Sequence, residues 1–323
     1  MGIIGFGWVA RDYMYPAITN APDVNLIAVC SICAEDMDGL PKTIQRFTST
    51  EEMIENVALD AVYIATPNFA HCDPTCLCLR HGIHVLCEKP MATCIEDAER
   101  MAEAASLSSA VYQTAYDQRY HPAHLYMKRK IDQGYLGTIT QARIDYACWL
   151  DKDWASDNWR IDRTKAGGGA IIDLAPHGLD LLETILNDTI VNVTLLAQNC
   201  VQEYDVDDGG VGVMQFRKGT LASVHVGYNR PESLPRRTLE IIGTEGKFTA
   251  RNTMGQVAGG QLKHIDAQTR QVETVEFNSK LSPFENQLHY FISYIRNPHL
   301  IERTAKDDVR LFELLYHQLQ NQF

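Results

Sequence analysis

The chain has 323 residues, of which 45% are hydrophobic and 22% charged, and its formal net charge is −12. That length exceeds what one hydrophobic core usually holds, so two domains are expected, and the acidic balance argues against nucleic acid or an anionic membrane as the main partner. No apolar run approaches the roughly 20 residues that a membrane span needs, and the start lacks a signal-peptide pattern, so the sequence predicts a cytoplasmic protein.

The chain opens with a short apolar strand that runs into a Gly-x-Gly-x-x-Ala motif. Ile4 precedes Gly5, Gly7 and Ala10, and a helical stretch follows that Pro16 is expected to end or kink. In this context the glycines permit a tight turn and let a pyrophosphate approach the helix N-terminus, which is typical of dinucleotide-binding folds. Because the strand has only about four residues before the first glycine, we expect residues to be missing upstream.

The second apolar strand, residues 26–30, ends at Ser31. Dinucleotide folds usually carry Asp or Glu at this position to bind the adenosine ribose. The small hydroxyl of Ser31 admits a 2′-phosphate, but no Arg follows, and Glu35 and Asp36 repel one. NAD and NADP both stay open as cofactors, and the acidic residues favour NAD.

Helix and strand signals then alternate, which is the pattern of a doubly wound parallel sheet. Residues 61–65 form a continuous apolar run that predicts a buried strand, and capping-box patterns predict helix starts at Ser49 and Thr93. Residues 74–81 predict a helix that Gly82 ends. The first part of the chain is therefore expected to be an α/β domain.

Glu88-Lys89-Pro90 follows the next predicted strand, residues 84–87. It lies at the carboxyl end of a parallel strand, which is the edge where open α/β sheets bind ligands. Lys89 is therefore a candidate functional residue. The alternative is a solvated surface charge.

A carboxylate and an imidazole stand four residues apart behind a triple glycine. If the chain after Gly167-Gly168-Gly169 is helical, Asp173 and His177 lie on one face. Pro176 is expected in the first turn, which places the pair beside unpaired backbone donors, and the glycines permit close approach of backbone or ligand. The alternative is an amphipathic helix in which His177 is a core residue.

After about residue 120, strands of alternating character dominate, which suits an antiparallel sheet with one face covered by helices. These strands are predicted at residues 140–146, 191–196, 211–216, 221–226 and 238–242. Residues 251–280 are polar and predict hairpins and loops, and residues 303–322 predict an amphipathic closing helix.

These motifs stand in an order that resembles the Gfo/Idh/MocA family of NAD(P)-dependent oxidoreductases, named for glucose–fructose oxidoreductase and inositol dehydrogenase. The stronger matches are residues 5–10, 65–68 with His71, 87–90, and 167–169 through Asp173 and His177; the weaker are 119–122, 134–139, Trp159-Arg160 and 241–246. The resemblance covers nearly the whole chain. Ser31 departs from the commoner acid, and Asp117 stands where the family often has Asn near the cofactor.

The resemblance implies a Rossmann domain over residues 1–118 and a second α+β domain over residues 119–323. The second domain would carry a large, mostly antiparallel sheet whose open face forms the subunit interface of a homodimer or homotetramer. Hydride would pass between a nicotinamide cofactor and a secondary alcohol or ketone of a sugar, inositol or related polyol. His177 would be the base and Lys89 would stabilise the alkoxide, while Asp173 orients His177 or binds a substrate hydroxyl.

The motifs and the resemblance together give two sets of binding residues. For the cofactor they are Gly5, Phe6, Gly7, Trp8, Val9, Ala10, Ser31, Thr66, Pro67, Asn68, His71, Glu88 and Lys89. For the substrate they are Tyr116, Arg119, Tyr120, Trp159, Arg160 and Asn229, each of which has core packing or a surface salt bridge as an alternative role.

Two other functions fit the same motifs. One is an NAD-dependent glycosidase with an internal hydride step, and the other is a non-enzymatic cofactor-binding sensor. The nine cysteines, including Cys30-x-x-Cys33 and the group of Cys72, Cys76 and Cys78, supply no four-ligand set, so buried thiols are expected rather than a metal site.

Overall fold

A computed structural model of the chain describes residues 1–151 and 158–320. The chain divides into two compact units. The first unit comprises residues 1–115 and 284–312, and the second comprises residues 116–283 and those from 313 onward.

The segment 284–312 belongs to the first unit, whereas the sequence placed it in the second domain. Its helix, Pro283–Arg296, contributes Phe284, Leu288 and Phe291 to the same buried cluster as Ile3 of the first strand. These rings and Leu288 are at most 3% exposed. This helix packs on the first unit because its apolar face is buried there. The local sequence pattern does not specify that long-range contact.

The first unit is built on a six-stranded parallel sheet in the order β3-β2-β1-β4-β5-β6. Its strands are β1 (Gly2–Ile4), β2 (Ala28–Cys30), β3 (Gln45–Phe47), β4 (Ala61–Ile64), β5 (His84–Cys87) and β6 (Tyr112–Thr114). Its helices up to residue 115 are a π-helical segment (Ala10–Met14), α1 (Tyr15–Asn20), α2 (Thr50–Asn56), α3 (Cys72–Arg80), α4 (Ile95–Leu107) and short 3₁₀ turns at Ala34–Met37 and Asn68–Ala70. The central strands are buried along their whole length, which confirms the doubly wound sheet.

In the first unit, the starts and ends of the helices follow the sequence with two exceptions. Ser49 caps α2 by accepting a hydrogen bond from the Glu52 N–H at 3.2 Å, as predicted. The predicted cap at Thr93 is wrong, because the residue before α4 is Cys94 and it makes no side-chain cap. Pro16 does not end its helix: a π-helical segment precedes it, and α1 continues beyond it.

The second unit is built on an eight-stranded sheet in the order β14-β13-β12-β11-β7-β10-β9-β8. Its strands are β7 (Ile139–Ala147), β8 (Ile190–Gln198), β9 (Gly209–Phe216), β10 (Leu221–Gly227), β11 (Arg237–Gly243), β12 (Gly246–Arg251), β13 (Gln261–Asp266) and β14 (Val272–Val275). Its helices include α5 (Pro122–Asp132), α6 (Arg163–Ala166) and α7 (Ala170–Leu186), with 3₁₀ turns at Asp117–Tyr120 and Trp159–Ile161. Neighbouring strands are antiparallel except for β7 and β10, and α7 packs on one face, which confirms the mostly antiparallel, one-sided sheet.

The C-terminal segment carries the helix of residues 283–296 named above, which is α8, and then a 3₁₀ turn at Pro298–Leu300 and α9 (Ala305–Gln320). The sequence predicted the last helix over residues 303–322, of which 321 and 322 lie outside the described residues. Within the described part of the chain, no helix is both long enough and apolar enough to cross a bilayer.

Most of the cysteines singled out in the sequence are buried. Cys30, Cys72, Cys76 and Cys78 lie inside the first unit, but Cys33 is exposed, so the expectation of a buried thiol is wrong there. No cluster of three or more His, Cys, Asp or Glu side chains among residues 1–151 and 158–320 has the geometry to hold a metal ion.

Candidate active site

Four of the predicted cofactor segments of the first unit share one edge of its sheet. Gly5, Ser31, Ala65 and Glu88 directly follow β1, β2, β4 and β5. The backbone N–H of each donates to a carbonyl of the neighbouring strand at 2.8–3.0 Å. Because these strands are parallel neighbours, their carboxyl ends meet beside β1, where the strand order reverses and α/β sheets bind dinucleotides.

The two glycines of the first loop serve different purposes. Gly5 has a φ of +86° and a Cβ there would lie 2.5 Å from the Thr66 backbone nitrogen, so no other residue fits without strain. Gly7 is exposed, and a Cβ there would meet nothing within 4 Å. The open space at Gly7, at the start of a helix, fits a pyrophosphate.

The other residues of the first loop are held mainly by packing. Phe6 is 3% exposed and meets the Tyr15 ring edge-on at 5.9 Å, while Trp8 meets Tyr13 edge-on at 5.7 Å. Ala10 is buried, and Val9 is half-buried against the core. These side chains fix the loop, so the parts left to face a cofactor are backbone groups.

Ser31 is tied to an acidic side chain at the end of β2. Its hydroxyl donates to Asp36 Oδ2 at 2.7 Å, and Ser31 is only 5% exposed. Asp36 is exposed and lies on the short 3₁₀ turn after β2. The structure thus brings a carboxylate to the strand end that lacks one in the sequence.

His71 joins two of the predicted cofactor loops. Its Nδ1 lies 2.9 Å from the Pro90 carbonyl oxygen and its Nε2 lies 2.9 Å from the Thr66 carbonyl oxygen. The Thr66 hydroxyl donates to the Ala70 carbonyl at 2.9 Å. Burial lowers the pKa of His71 to about 4, although both carbonyls favour the charged form. The neutral ring donates to only one of the two carbonyls, because its other nitrogen carries a lone pair.

Glu88 and Lys89 are placed by the end of β5. The buried Tyr63 hydroxyl donates to Glu88 Oε1 at 2.5 Å, and the Lys89 N–H donates to Glu88 Oε2 at 3.3 Å. Lys89 is half-buried. Asn68, which follows Pro67 in the predicted cofactor loop after β4, is buried. The Glu88 carboxylate thus fixes the backbone that presents the Lys89 side chain.

The triple glycine and Asp207 form the N-terminus of α7. Gly167 ends α6 with a φ of +84°, and a Cβ at Gly169 would lie 2.0 Å from the Asp207 carbonyl oxygen. The Asp207 carboxylate accepts from the N–H groups of Gly169 at 2.8 Å and Ile171 at 2.7 Å, and its carbonyl accepts from Ala170 at 3.0 Å. The backbone donors expected to be unpaired here are therefore satisfied, and Gly169 makes room for Asp207.

Pro176 lies inside α7 and not in its first turn, so that prediction is wrong. The helix begins at Ala170, because Asp207 caps it there, and Pro176 falls in its second turn. Asp173 and His177 still lie four residues apart on one face of α7.

His177 lies against a carboxylate from the start of the second unit. Its Nδ1 is 3.4 Å from Asp117 Oδ1, and the side chains of both residues are 5% exposed. Gln118 Nε2 donates to Asp117 Oδ2 at 2.9 Å, and the Tyr146 ring meets the His177 ring edge-on at 5.6 Å. Asp117 is thus placed to orient the imidazole, a role that the sequence analysis gave to Asp173.

Asp173 is held by a tyrosine that the sequence analysis did not name. The Tyr228 hydroxyl donates to Asp173 Oδ2 at 2.8 Å. Burial raises the pKa of Tyr228, and the Asp173 charge raises it further. Tyr228 therefore stays protonated and remains a hydrogen-bond donor to Asp173, which is half-buried.

The candidate substrate residues near position 119 are buried. Arg119 forms a two-point ion pair with Asp180, and these side chains are 8% and 0% exposed. Its guanidinium also lies 5.0 Å from the centre of the Tyr116 ring. Tyr116 and Tyr120 are 3% and 7% exposed. This ion pair occupies Arg119, so it is not among the substrate contacts that we propose.

The remaining candidates lie in two loops. Arg160 stacks on Trp159 at 4.4 Å, and both side chains are half-buried. Asn229 Nδ2 donates to Asp208 Oδ1 at 3.0 Å, beside the end of β10. Trp159 and Arg160 thus form a partly exposed cation–π pair.

Sequence reasoning missed Asp117 as the partner of His177, Asp207 as the cap of α7, and Tyr146 and Tyr228 as the aromatic surroundings. Asp117 carried a signal, since it departs from the Asn common in the family. Asp207 lies in the loop before β9, Tyr146 lies on β7 and Tyr228 follows β10, and no local pattern distinguishes them.

Two family models match the chain. One, described as an oxidoreductase family with an NAD-binding Rossmann fold, matches residues 1–116, and the other, a GFO/IDH/MocA C-terminal domain, matches residues 124–249.

Curated proteins and solved structures agree with these matches. The chain is 33% identical over 268 residues to 1,5-anhydro-D-fructose reductase from Ensifer adhaerens, which covers 81% of this chain and 78% of that protein. It is 28% identical to levoglucosan dehydrogenase from Pseudarthrobacter phenanthrenivorans over 61% of this chain and 56% of that protein. Its fold is similar to that of aldose-aldose oxidoreductase from Caulobacter crescentus, with a TM-score of 0.87, 22% identity and coverage of 99% and 97%.

Proposed function

The chain belongs to the Gfo/Idh/MocA family of NAD(P)-dependent oxidoreductases, and on that premise we propose that its site residues oxidise a secondary alcohol of a sugar or polyol, or reduce the matching ketone. The observation that carries this proposal is the buried His177–Asp117 pair on and beside α7. When bound, the nicotinamide cofactor supplies the hydride acceptor or donor. The chain itself has to move one proton and bind the substrate.

His177 is the proposed base. Oxidation of an alcohol releases a hydride from carbon and a proton from oxygen, and an imidazole is suited to take that proton near neutral pH. Asp117, 3.4 Å away, fixes the ring and stabilises the positive charge that the proton brings. In the reverse direction His177 returns the proton to the forming hydroxyl.

Lys89 and Asp173 are proposed to act on the substrate oxygens. Lys89 would stabilise the alkoxide by a charge-assisted hydrogen bond, which its place in the Glu88-Lys89-Pro90 motif supports. Asp173 receives one hydrogen bond from Tyr228 and would accept another from a hydroxyl beside the reacting carbon. Trp159 and Arg160 would contact the sugar ring.

The proposed preference is for NAD over NADP. Asp36 is hydrogen-bonded to Ser31 at the end of β2, where the adenosine ribose binds in folds of this kind. A carboxylate there accepts from a ribose hydroxyl and repels a 2′-phosphate.

The proposed assembly is a homodimer or homotetramer formed through the uncovered face of the second sheet. Leu196, Val213 and Leu221 are 65%, 56% and 58% exposed on β8, β9 and β10, opposite the face that α7 covers. Light scattering should give at least twice the mass of one chain, and Val213→Asp should lower it.

The main test is formation of reduced nicotinamide with a panel of free sugars, anhydro sugars and inositols. His177→Ala and Lys89→Ala should each lower kcat by about 10²-fold or more without changing the fold. His289→Ala, which changes an exposed histidine on α8, is the matched control and should keep its activity. Full activity in both site variants contradicts the assignment, and aryl-glycoside cleavage without net cofactor reduction favours the glycosidase instead.

A further inference from the structure

Arg237 is a half-buried cation at the start of β11, on the second unit. Its Nε is shut off from solvent and has no hydrogen-bond partner. Within residues 1–151 and 158–320, its guanidinium makes neither a hydrogen bond nor an ion pair. A guanidinium carries five N–H donors, so the described part of the chain offers this one no hydrogen-bonding partner of suitable chemistry.

The surroundings of Arg237 connect it to His177. Its Cζ lies 5.7 Å from the centre of the Tyr146 ring, its cross-strand neighbour, and that ring lies 5.6 Å from the His177 ring. Arg237 and His177 are therefore both neighbours of the Tyr146 ring.

The space for the guanidinium is provided by a glycine. A Cβ at Gly255 would lie 2.1 Å from Arg237 Nη1, and the Gly255 φ is +149°. Gln118 Nε2 donates to the Gly255 carbonyl at 3.2 Å and to Asp117 at 2.9 Å. The loop that accommodates Arg237 is thus tied to the carboxylate that orients His177.

The carboxylates of this region are engaged elsewhere. Asp117 pairs with His177 and Gln118, and Asp173 accepts from Tyr228. The contact of Arg237 with the Tyr146 ring is weaker than a charge-assisted hydrogen bond and directs no N–H group. Among the described residues, the Arg237 guanidinium therefore has no carboxylate partner, and it lies near the ring that contacts the proposed base.

We propose that Arg237 binds an oxyanion of the substrate, a carboxylate or a phosphate, so that the enzyme acts on an acidic sugar or polyol derivative. The planar guanidinium fork matches both groups in two-point geometry. This inference rests on the proposed function, because it names the substrate class of the same site.

The test compares matched probes on the purified full-length protein: D-glucose, D-glucuronate and D-glucose 6-phosphate, and myo-inositol with its monophosphate. Thermal midpoints are measured with cofactor for the wild type, Arg237→Gln and Arg237→Lys, and kcat/KM is measured wherever turnover occurs. The control is Arg236→Gln, since Arg236 is already paired with Glu232 at 2.8 Å.

We expect at least one acidic probe to raise the wild-type midpoint more than its neutral counterpart. Arg237→Gln should abolish that difference and lower the acidic-to-neutral ratio of kcat/KM by about 10²-fold, mainly through KM, while Arg237→Lys lowers it less and Arg236→Gln does not. The carboxylate and phosphate arms identify which oxyanion is bound.

A wild-type midpoint that no acidic probe raises overturns the inference, as does an acidic-to-neutral ratio that Arg237→Gln leaves within threefold of the wild type. A shift of the thermal midpoint reports binding and does not require turnover, so the oxyanion site and the proposed reaction are tested independently. If acidic probes raise the midpoint but no hydride transfer occurs, the oxyanion site is supported and the proposed reaction is contradicted. If only neutral probes are turned over and no acidic probe raises the midpoint, the proposed reaction is supported and the oxyanion site is contradicted.

Discussion

The cofactor loops of the first unit are placed by backbone hydrogen bonds, whereas the polar residues around His177 in the second unit are placed by side-chain contacts. Gly5, Ser31 and Glu88 each extend a parallel strand by one residue and so arrive at one sheet edge. In the second unit the contacts join positions far apart in sequence, such as Tyr228 with Asp173, 55 residues away, and Arg119 with Asp180, 61 residues away.

The difference shows which part of the molecule tolerates change. A loop held by its own strand keeps its position when neighbouring side chains vary, as a common cofactor requires. A pocket held by side-chain pairs changes shape when one member changes, which lets related chains act on different sugars from one fold. Substitutions in the second unit should therefore have the larger effects on stability and on substrate use.

The largest effect on stability is expected from Asp180→Ala. It leaves the Arg119 charge buried without its carboxylate and should lower the free energy of unfolding by about 3 to 5 kcal/mol, measured by chemical denaturation. Replacing both residues by leucine should cost less, because no charge is left unpaired. Thr66→Val in the first unit removes one hydroxyl bond and should cost only about 1 kcal/mol. Equal losses in Asp180→Ala and Thr66→Val would contradict the comparison.

The next effect concerns pH and His71 in the first unit. Since burial lowers the pKa of His71 to about 4 from 6.5, the unfolded chain binds a proton that the folded chain does not between these values. Stability should therefore fall as the pH falls from 6.5 towards 4, and this histidine accounts for about 2 to 3 kcal/mol of the loss at pH near 4.5. The positive charge of Lys89 also lowers the pKa of His71.

The measurement is the free energy of unfolding at neutral and at acid pH for the wild type and His71→Gln. The variant should lose less stability on acidification than the wild type does. A loss of the same size in both would show that other groups cause the acid sensitivity.

A smaller effect, on turnover, is expected at Asp117. Asp117→Ala removes the group that orients His177 and should lower kcat by about 10²-fold with KM within a few fold of the wild type. Asp117→Asn keeps the shape and should recover about tenfold of that loss. Steady-state kinetics together with the thermal midpoint distinguishes this positioning role from a structural one, because a structural role would lower the midpoint as well as kcat. An unchanged kcat in Asp117→Ala would remove Asp117 from the site.

The smallest effect is expected at Asp36. Asp36→Ser should raise the ratio of kcat/KM for NADP to that for NAD by about tenfold, because it removes an exposed charge that repels a 2′-phosphate. Glu35→Gln is the matched control, since the Glu35 side chain accepts from the Cys33 thiol at 3.0 Å. An equal change in both variants would indicate general surface charge and not a specific contact.

The sequence by itself determined the parallel sheet, the glycine loop after β1, the edge position of Lys89 and the spacing of Asp173 and His177 on one helix face. Each of these depends on neighbours within a few residues: apolar runs of one period, the glycine at a φ of +86°, and the four-residue repeat of a helix. Such local constraints act in any chain with that pattern.

Only the tertiary structure decided that Asp117 faces His177, that Asp207 caps α7 and places Pro176 in its interior, and that residues 284–312 belong to the first unit. It also decided that the Arg237 guanidinium has no hydrogen bond to residues 1–151 or 158–320. These outcomes depend on which surfaces pack together and on the room left between them, as at Gly169 and Gly255. Packing joins residues without regard to their separation along the chain, so no sequence period encodes it.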